Sequence, residues 1–174
     1  MGGSITQPAP RKAGPAGLAA ALAASTGGAR VILCDEQAEF GGSLLSEWAT
    51  EIDGMSAATW LADAVRKLAA MPGVALLPRT VAFGYFAQNF VGLAERITDH
   101  LGAIERNVPR ERMWQVRARR VVLATGAIER PVVFPGNDRP GIMLADAVRT
   151  YVNRYGARPG SRAVVLTACD SGYA

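Results

Sequence analysis

The feature that most constrains this chain is an unbroken apolar run, ARVILCDE at residues 29–36, set between two helix-forming stretches. Apolar and polar residues in alternation would mark a strand with one wet face. A continuous run marks a strand buried on both faces, the kind found in parallel sheets covered by helices. Before it, residues 15–25 are rich in Ala and Leu, the strongest helix formers, and the stretch ends at Gly27 and Gly28, which supply a helix stop. After it comes a tight turn, Phe40-Gly41-Gly42. The segment from Ser56 to Met71 then opens on a serine N-cap and puts Trp60, Leu61, Ala64, Val65 and Leu68 on one helical face. PGVALLP, residues 72–78, follows as a turn and a short buried strand.

From Thr80 the pattern changes to aromatic and β-branched residues, TVAFGYFAQNFVGLAERI. In RMWQVRARR, Met113, Gln115 and Arg117 alternate with Trp114, Val116 and Ala118, which predicts a half-exposed antiparallel strand. RVVLATGA at 120–127 predicts another buried strand, ended by a glycine. MLADAVRTYVNRYG predicts an amphipathic helix ending at Gly156, and the last residues, GSRAVVLTACDSGYA, begin one more buried strand. This order predicts an α/β fold: a doubly wound, Rossmann-like, mostly parallel sheet with a small antiparallel excursion. Such folds usually begin with a strand; this one begins with its first helix, and its first strand is missing.

Composition removes several function classes. The 174 residues suffice for one domain with a real core. No apolar run reaches the roughly 18 residues that would span a bilayer. The first residues show no apolar signal-peptide core, so the expected location is the cytoplasm. The net charge of +4 comes from arginines dispersed among acids, which solvated faces explain better than a nucleic-acid patch. Cys34 and Cys169 have neither metal nor disulfide spacing and are expected as small core residues in a reducing compartment. His100 has no second histidine for a metal and no nucleophile elbow, so no catalytic or metal residue is expected.

The chemistry lies in the loops at the strand and helix ends. GPAG, Gly14 to Gly17, has the second half of a G-x-G-x-x-G loop, with Lys12 where the first glycine would stand. Gly14 would let the backbone approach a pyrophosphate, and Gly17 would let the helix pack tightly on the strand beneath. The helix start at Pro15, Ala16 and Gly17 offers unpaired N–H groups and the positive end of a dipole. Asp35 and Glu36 end the next strand, 18 and 19 residues after Gly17, where the fingerprint expects an acid for the ribose hydroxyls. A carboxylate there would also repel a 2′-phosphate. Ala124-Thr125-Gly126 closes the third element, a strand-end turn like the second cofactor contact of the two-dinucleotide flavoproteins.

Taken with RVILCDEQAEFGGSLLSE, AFGYFAQNFVGL and FPGNDRPGIMLADAVRTYVNRYG, these motifs make the chain from about Gly14 onward similar to the α subunits of heterotetrameric sarcosine oxidases. A neighbouring resemblance is to the flavoprotein subunits of opine oxidase and hydrogen cyanide synthase. The resemblance implies an oxidoreductase acting on CH–NH donors as part of a larger complex, by oxidative demethylation of sarcosine. It implies NAD bound in this fold, with flavin chemistry at another subunit; the local motif alone fits FAD equally. The contacts it implies are Ala16 in the loop, Asp35, Glu36 and Gln37 after the second strand, Ser43 following Gly42, the Val81–Ala82 backbone, and Thr125 with Gly126. Its partners would be other subunits of a hetero-oligomeric oxidase, with no nucleic acid and no membrane.

The expected organisation is an irregular segment at 1–12, an FAD/NAD-binding domain at 13–160, and at 161–174 the start of a second nucleotide-binding-like unit. Prolines 8 and 10 disfavour a central strand before Gly14. The α subunits are several times longer, so the chain reads as an internal piece, expected to be inactive alone and to bind cofactor weakly or not at all. Two other readings compete. One is an FAD-binding subunit of an opine or amine dehydrogenase, and the other is a non-catalytic piece that packs against a partner.

Overall fold

The computed structural model describes residues 13–102 and 107–168. Helix α1 (Pro15–Thr26) leads through Gly27 and Gly28 into strand β1 (Val31–Cys34). A 3₁₀ turn, Gly42–Ser46, and a minimal hairpin, β2 (Glu51–Ile52) with β3 (Met55–Ser56), precede helix α2 (Ala57–Ala69). Strand β4 (Val74–Leu77) returns parallel to β1, in register from Val31 against Val74 to Cys34 against Leu77. This β1–α2–β4 unit is the crossover predicted from the sequence. Helix α2 starts where expected because the Ser56 hydroxyl accepts the Thr59 N–H at 3.2 Å. Its Trp60, Leu61 and Val65 pack with buried Leu68 against Leu18 and Ala21 of α1 and Val31, Leu33, Val74 and Leu76 of the sheet.

Strands β5 (Thr80–Phe86), β6 (Phe90–Arg96) and β7 (Glu111–Arg117) form an antiparallel sheet in sequence order. Trp114 and Val116 are the half-buried positions of β7, and the intervening Met113, Gln115 and Arg117 are exposed, as the alternation predicts. They join Leu77, Ala82, Val91 and Leu93 in a second core, which also takes in Cys34 and Val121. Helix α3 (Ala145–Tyr155) ends on Gly156 at φ 62°, a left-handed position suited to glycine.

Parallel pairing is thinner than the sequence suggests. Among the described residues the parallel sheet has two strands, while the antiparallel one has three. RVVLATGA and the 163–168 run, both predicted as buried strands, carry no strand structure; Val122, Leu123, Val164 and Leu166 are largely exposed. A strand is stabilised by its ladder, and among the described residues no strand pairs with either run. Nor is β1 buried on both faces: Ile32 is 41% exposed, because α1 and α2 cover one face only. The irregular segment expected at 1–12, together with Cys169 and the rest of 169–174, lies outside the described residues. No described helix is long and apolar enough to cross a membrane.

Candidate functional site

Three loops meet at the carboxyl end of β1. The first enters α1. Gly14 is extended (φ −75°, ψ −167°), and Pro15 takes the first helical position, where a missing N–H costs nothing. The Leu18 N–H closes the first turn on the Gly14 carbonyl at 3.0 Å. The Ala16 and Gly17 N–H groups, at the start of the turn, have no acceptor within the helix. The second loop is Phe40-Gly41-Gly42. The Gly41 N–H donates to the Ala13 carbonyl at 3.0 Å, tying the two glycine turns together. Gly41 sits at φ 134°, and a Cβ there would come within 2.6 Å of the Leu61 side chain, so only glycine makes this turn. A Cβ on Gly14 would lie 3.9 Å from the Gly41 carbonyl oxygen and from the Gly42 Cα, which measures how closely the two backbones run.

The third loop carries the acids, and here the structure departs from the ribose role expected of Asp35. Asp35 is turned inward and 1% exposed. One carboxylate oxygen accepts the Ala13 N–H at 2.6 Å and the other accepts the Gln37 N–H at 2.8 Å. Its backbone is equally committed, accepting from the Thr80 N–H at 2.7 Å and donating to the Leu77 carbonyl at 3.0 Å. A spacing argument finds an acid at the strand end but not the direction of its carboxylate. Glu36 is the half-buried acid and Gln37 the exposed amide beside it.

The remaining expected residues divide. The Thr80 bond to Asp35 places the start of β5, hence Val81, at this same end of β1. Ala82 is buried opposite Leu93 in the antiparallel core. Ala124 comes to the site: a Cβ on Gly17 would meet the Ala124 Cβ at 3.4 Å, so the 121–126 segment lies over the start of α1 even without a strand ladder. Thr125 is half-buried there, and Gly126 is exposed at φ 69°. The structure therefore gathers Gly14, Pro15, Ala16, Gly17, Glu36, Gln37, Gly42, Ser43 and Thr125 around one end of β1, with Asp35 beneath them.

The part played by helix α3 is not visible in the sequence. The Glu129 carboxylate accepts the Ala145 and Asp146 N–H groups at 3.2 and 2.8 Å, capping the helix from the loop beyond Gly126. The helix is then fastened to the Gly42–Ser46 turn. Asn153 donates to the Ser46 carbonyl at 2.8 Å, Thr150 shares a hydroxyl contact with Ser46 at 3.3 Å, and Arg149 pairs with Glu47 at 2.6 Å. The polar stripe of α3 passes for a solvated face in the sequence; its partners lie more than 100 residues away.

A cleft of about 130 Å³ opens between these parts, lined by Gln37, Gly42, Leu45, Thr150, Arg154 and Tyr155. A larger one, about 290 Å³, lies on the α1–α2 side against Trp60, Asp63 and Lys67 and contains none of the expected residues. Among the described residues no group of three or more His, Cys, Asp or Glu side chains could hold a metal ion.

Comparison with known proteins identifies the family. Residues 13–125 match the FAD dependent oxidoreductase family. The chain is 55% identical over 162 residues to the alpha subunit of sarcosine oxidase from Corynebacterium sp. (strain P-1), covering 92% of this chain and 17% of that one. It is 52% identical over 161 residues to the corresponding sarcosine oxidase chain of Rhizobium meliloti (strain 1021), covering 92% and 16%. An opine oxidase subunit of Agrobacterium tumefaciens (strain Ach5) is more distant, at 32% identity over 90% of this chain and 31% of its own length. The chain thus spans about a sixth of the sarcosine oxidase subunits it matches. Among solved structures, L-proline dehydrogenase from P. horikoshii superposes with a TM-score of 0.68 at 26% identity, over 86% of this chain and 28% of that one. The family description names FAD, and none of these names mentions NAD.

Proposed function

The chain belongs to the family of FAD-dependent oxidoreductases, and on that premise we propose that residues 13–160 are the dinucleotide-binding domain of a sarcosine oxidase α-like subunit. The observation that carries this reading is the convergence of the Gly14–Gly17 loop, the Gly41–Ser43 turn and Glu36 at one end of β1, tied by the Gly41 to Ala13 hydrogen bond. The residues fit an ADP-bearing cofactor. The Ala16 and Gly17 N–H groups, which have no acceptor within the helix, are available at the start of α1 to a diphosphate. Gly14 and Gly42 leave room for it to approach the backbone. Glu36 and Gln37 stand where a ribose would present its hydroxyls, and Thr125 and Gly126 close the site from the other side. Asp35 acts underneath, holding the loop rather than the ligand.

The ligand we assign is FAD, which when bound would supply the redox chemistry for a CH–NH donor. NAD, expected from the resemblance, shares the same ADP half and is the competing ligand. Residues 1–12 and 161–174 lie outside this domain, the latter as the start of a second nucleotide-binding-like unit. No residue of this chain is assigned a substrate-oxidising role; that step belongs to the assembled enzyme. Calorimetric titration of the folded chain with FAD and with NAD tests the assignment. The sequence alone leads to an expectation of weak or no binding. The Asp35–Ala13 and Gly41–Ala13 contacts that hold the loops together support weak but saturable one-to-one binding of FAD, with weaker NAD. Preference for NAD would reassign the ligand, and no binding of either would leave the site without function in this piece.

A specific observation also supports assembly. Val122, Val133, Val164 and Leu166 are 70, 85, 98 and 65% exposed, and they belong to the two apolar runs and the loop between them. Apolar surface of this kind marks a protein contact, and the relatives are named as subunits. A concentration-dependent mass by light scattering is expected for the isolated chain.

A further inference from the structure

We infer that Arg154 of α3 is a phosphate-binding residue of the dinucleotide site, reaching a diphosphate held at the Gly14–Gly17 loop from the adjoining cleft lined by Gln37 and Gly42. The inference rests on the dinucleotide reading above and adds a residue that neither the loop fingerprint nor the resemblance supplies. The cleft of about 130 Å³ has two walls. Gln37 and Gly42, both expected cofactor contacts, form one; Thr150, Arg154 and Tyr155 of α3 form the other. Arg154 is the one cation among the cleft-lining residues. Its side chain is only 22% exposed, with the guanidinium 5.6 Å from the centre of the Tyr155 ring.

Its present partner is weak. Arg154 donates to Glu39 at 2.9 Å, but the Glu39 side chain is 64% exposed, and an ion pair with a solvated carboxylate is easily exchanged. A diphosphate offers the planar guanidinium paired acceptors and more charge. The helix is also held in place to present it: Asn153 and Thr150, on the same stretch, grip Ser46 at the end of the turn that Gly42 begins. Arg154 and the backbone of Gly42 therefore face the same small space from two elements fastened together. Glu39 occupies the arginine in the absence of ligand and is the group a phosphate displaces.

The test uses the full chain and three probes, adenosine, ADP and 2′,5′-ADP, by calorimetry, with circular dichroism to confirm folding. Arg154→Gln should weaken ADP about tenfold, the loss of one charged contact, and leave adenosine unchanged. Arg154→Lys should recover part of that loss. Glu39→Gln separates binding from scaffolding: it should tighten ADP by removing the competitor, whereas a merely structural Arg154–Glu39 pair would make this variant bind worse. Equal ADP binding by wild type and Arg154→Gln, parallel losses for adenosine and ADP, or an effect confined to 2′,5′-ADP would each overturn the inference while leaving the dinucleotide site standing. Wild-type protein that binds none of the three overturns both.

Discussion

The Asp35 carboxylate lies 2.6 Å from the Ala13 N–H, so the acid at the end of β1 holds the loop that opens α1. With its second oxygen on the Gln37 N–H, this one side chain joins two of the three loops of the site. Replacing it leaves one buried and one part-buried backbone donor without their acceptor. Asp35→Ala should cost about 2–4 kcal/mol, the range for losing a buried charged hydrogen-bonding group, read from urea unfolding. Loss of less than about 0.5 kcal/mol, the ordinary scatter of surface changes, would show that the contact does not hold the loop.

Gly41 offers a sharper geometric test. At φ 134°, with Leu61 where a Cβ would go, alanine must strain the backbone and push the α2 side chain away. Gly41→Ala should destabilise by about 2–4 kcal/mol, combining backbone strain with overpacking. The nearby Gly54, at φ 75° with open space around it, would suffer strain alone and serves as the milder control. Equal losses at the two positions would argue against close packing of the Gly41 turn on Leu61.

Gly17 separates stability from binding. Alanine in a helix gains up to about 1 kcal/mol of propensity over glycine, and a Cβ here makes only ordinary van der Waals contact, 3.4 Å from Ala124, so Gly17→Ala should hold or slightly raise the melting temperature. Gly17→Val carries methyl groups beyond the Cβ position, which already stands 3.4 Å from Ala124, and should displace the 121–126 segment. FAD affinity should fall at least about tenfold in the valine variant, a loss of ~1.4 kcal/mol. Unaltered affinity would remove Thr125 and Gly126 from the site.

Glu129 should matter beyond its exposed position. It accepts both N–H groups at the start of α3, and losing a cap costs about 1 kcal/mol. Because α3 in turn fastens the Gly42–Ser46 turn through Asn153, Glu129→Ala should increase proteolytic cleavage between 127 and 144 and weaken FAD binding together. Faster cleavage without any change in binding would uncouple the helix from the site.

What is legible in the sequence depends on how local its cause is. Helix α2 can be read because its cap, Ser56, lies three residues from the N–H it accepts, and its apolar face repeats within the helix. Strand β7 can be read because alternation is a local pattern, and Trp114 and Val116 do face the core. The glycine loop and the strand-end acids are also visible, since their spacing follows from one helix and one strand. VVLATGA misleads because an apolar run reports a tendency to be buried and not the presence of a neighbour to pair with; Val122 and Leu123 stay exposed. The direction of the Asp35 carboxylate depends on Ala13, 22 residues earlier. The Asn153–Ser46 contact joins residues 107 apart, and no local pattern announces it.

The central claim is that the loops at the end of β1 bind a dinucleotide, and calorimetry with FAD on the folded chain and on Gly17→Val tests it most directly. The account predicts saturable one-to-one binding by the native sequence, of modest strength with Kd on the order of micromolar or weaker, and its loss in the valine variant. A folded native chain that releases no binding heat with FAD or NAD would contradict it; a valine variant that binds as well as the native one would remove the 121–126 segment from the site.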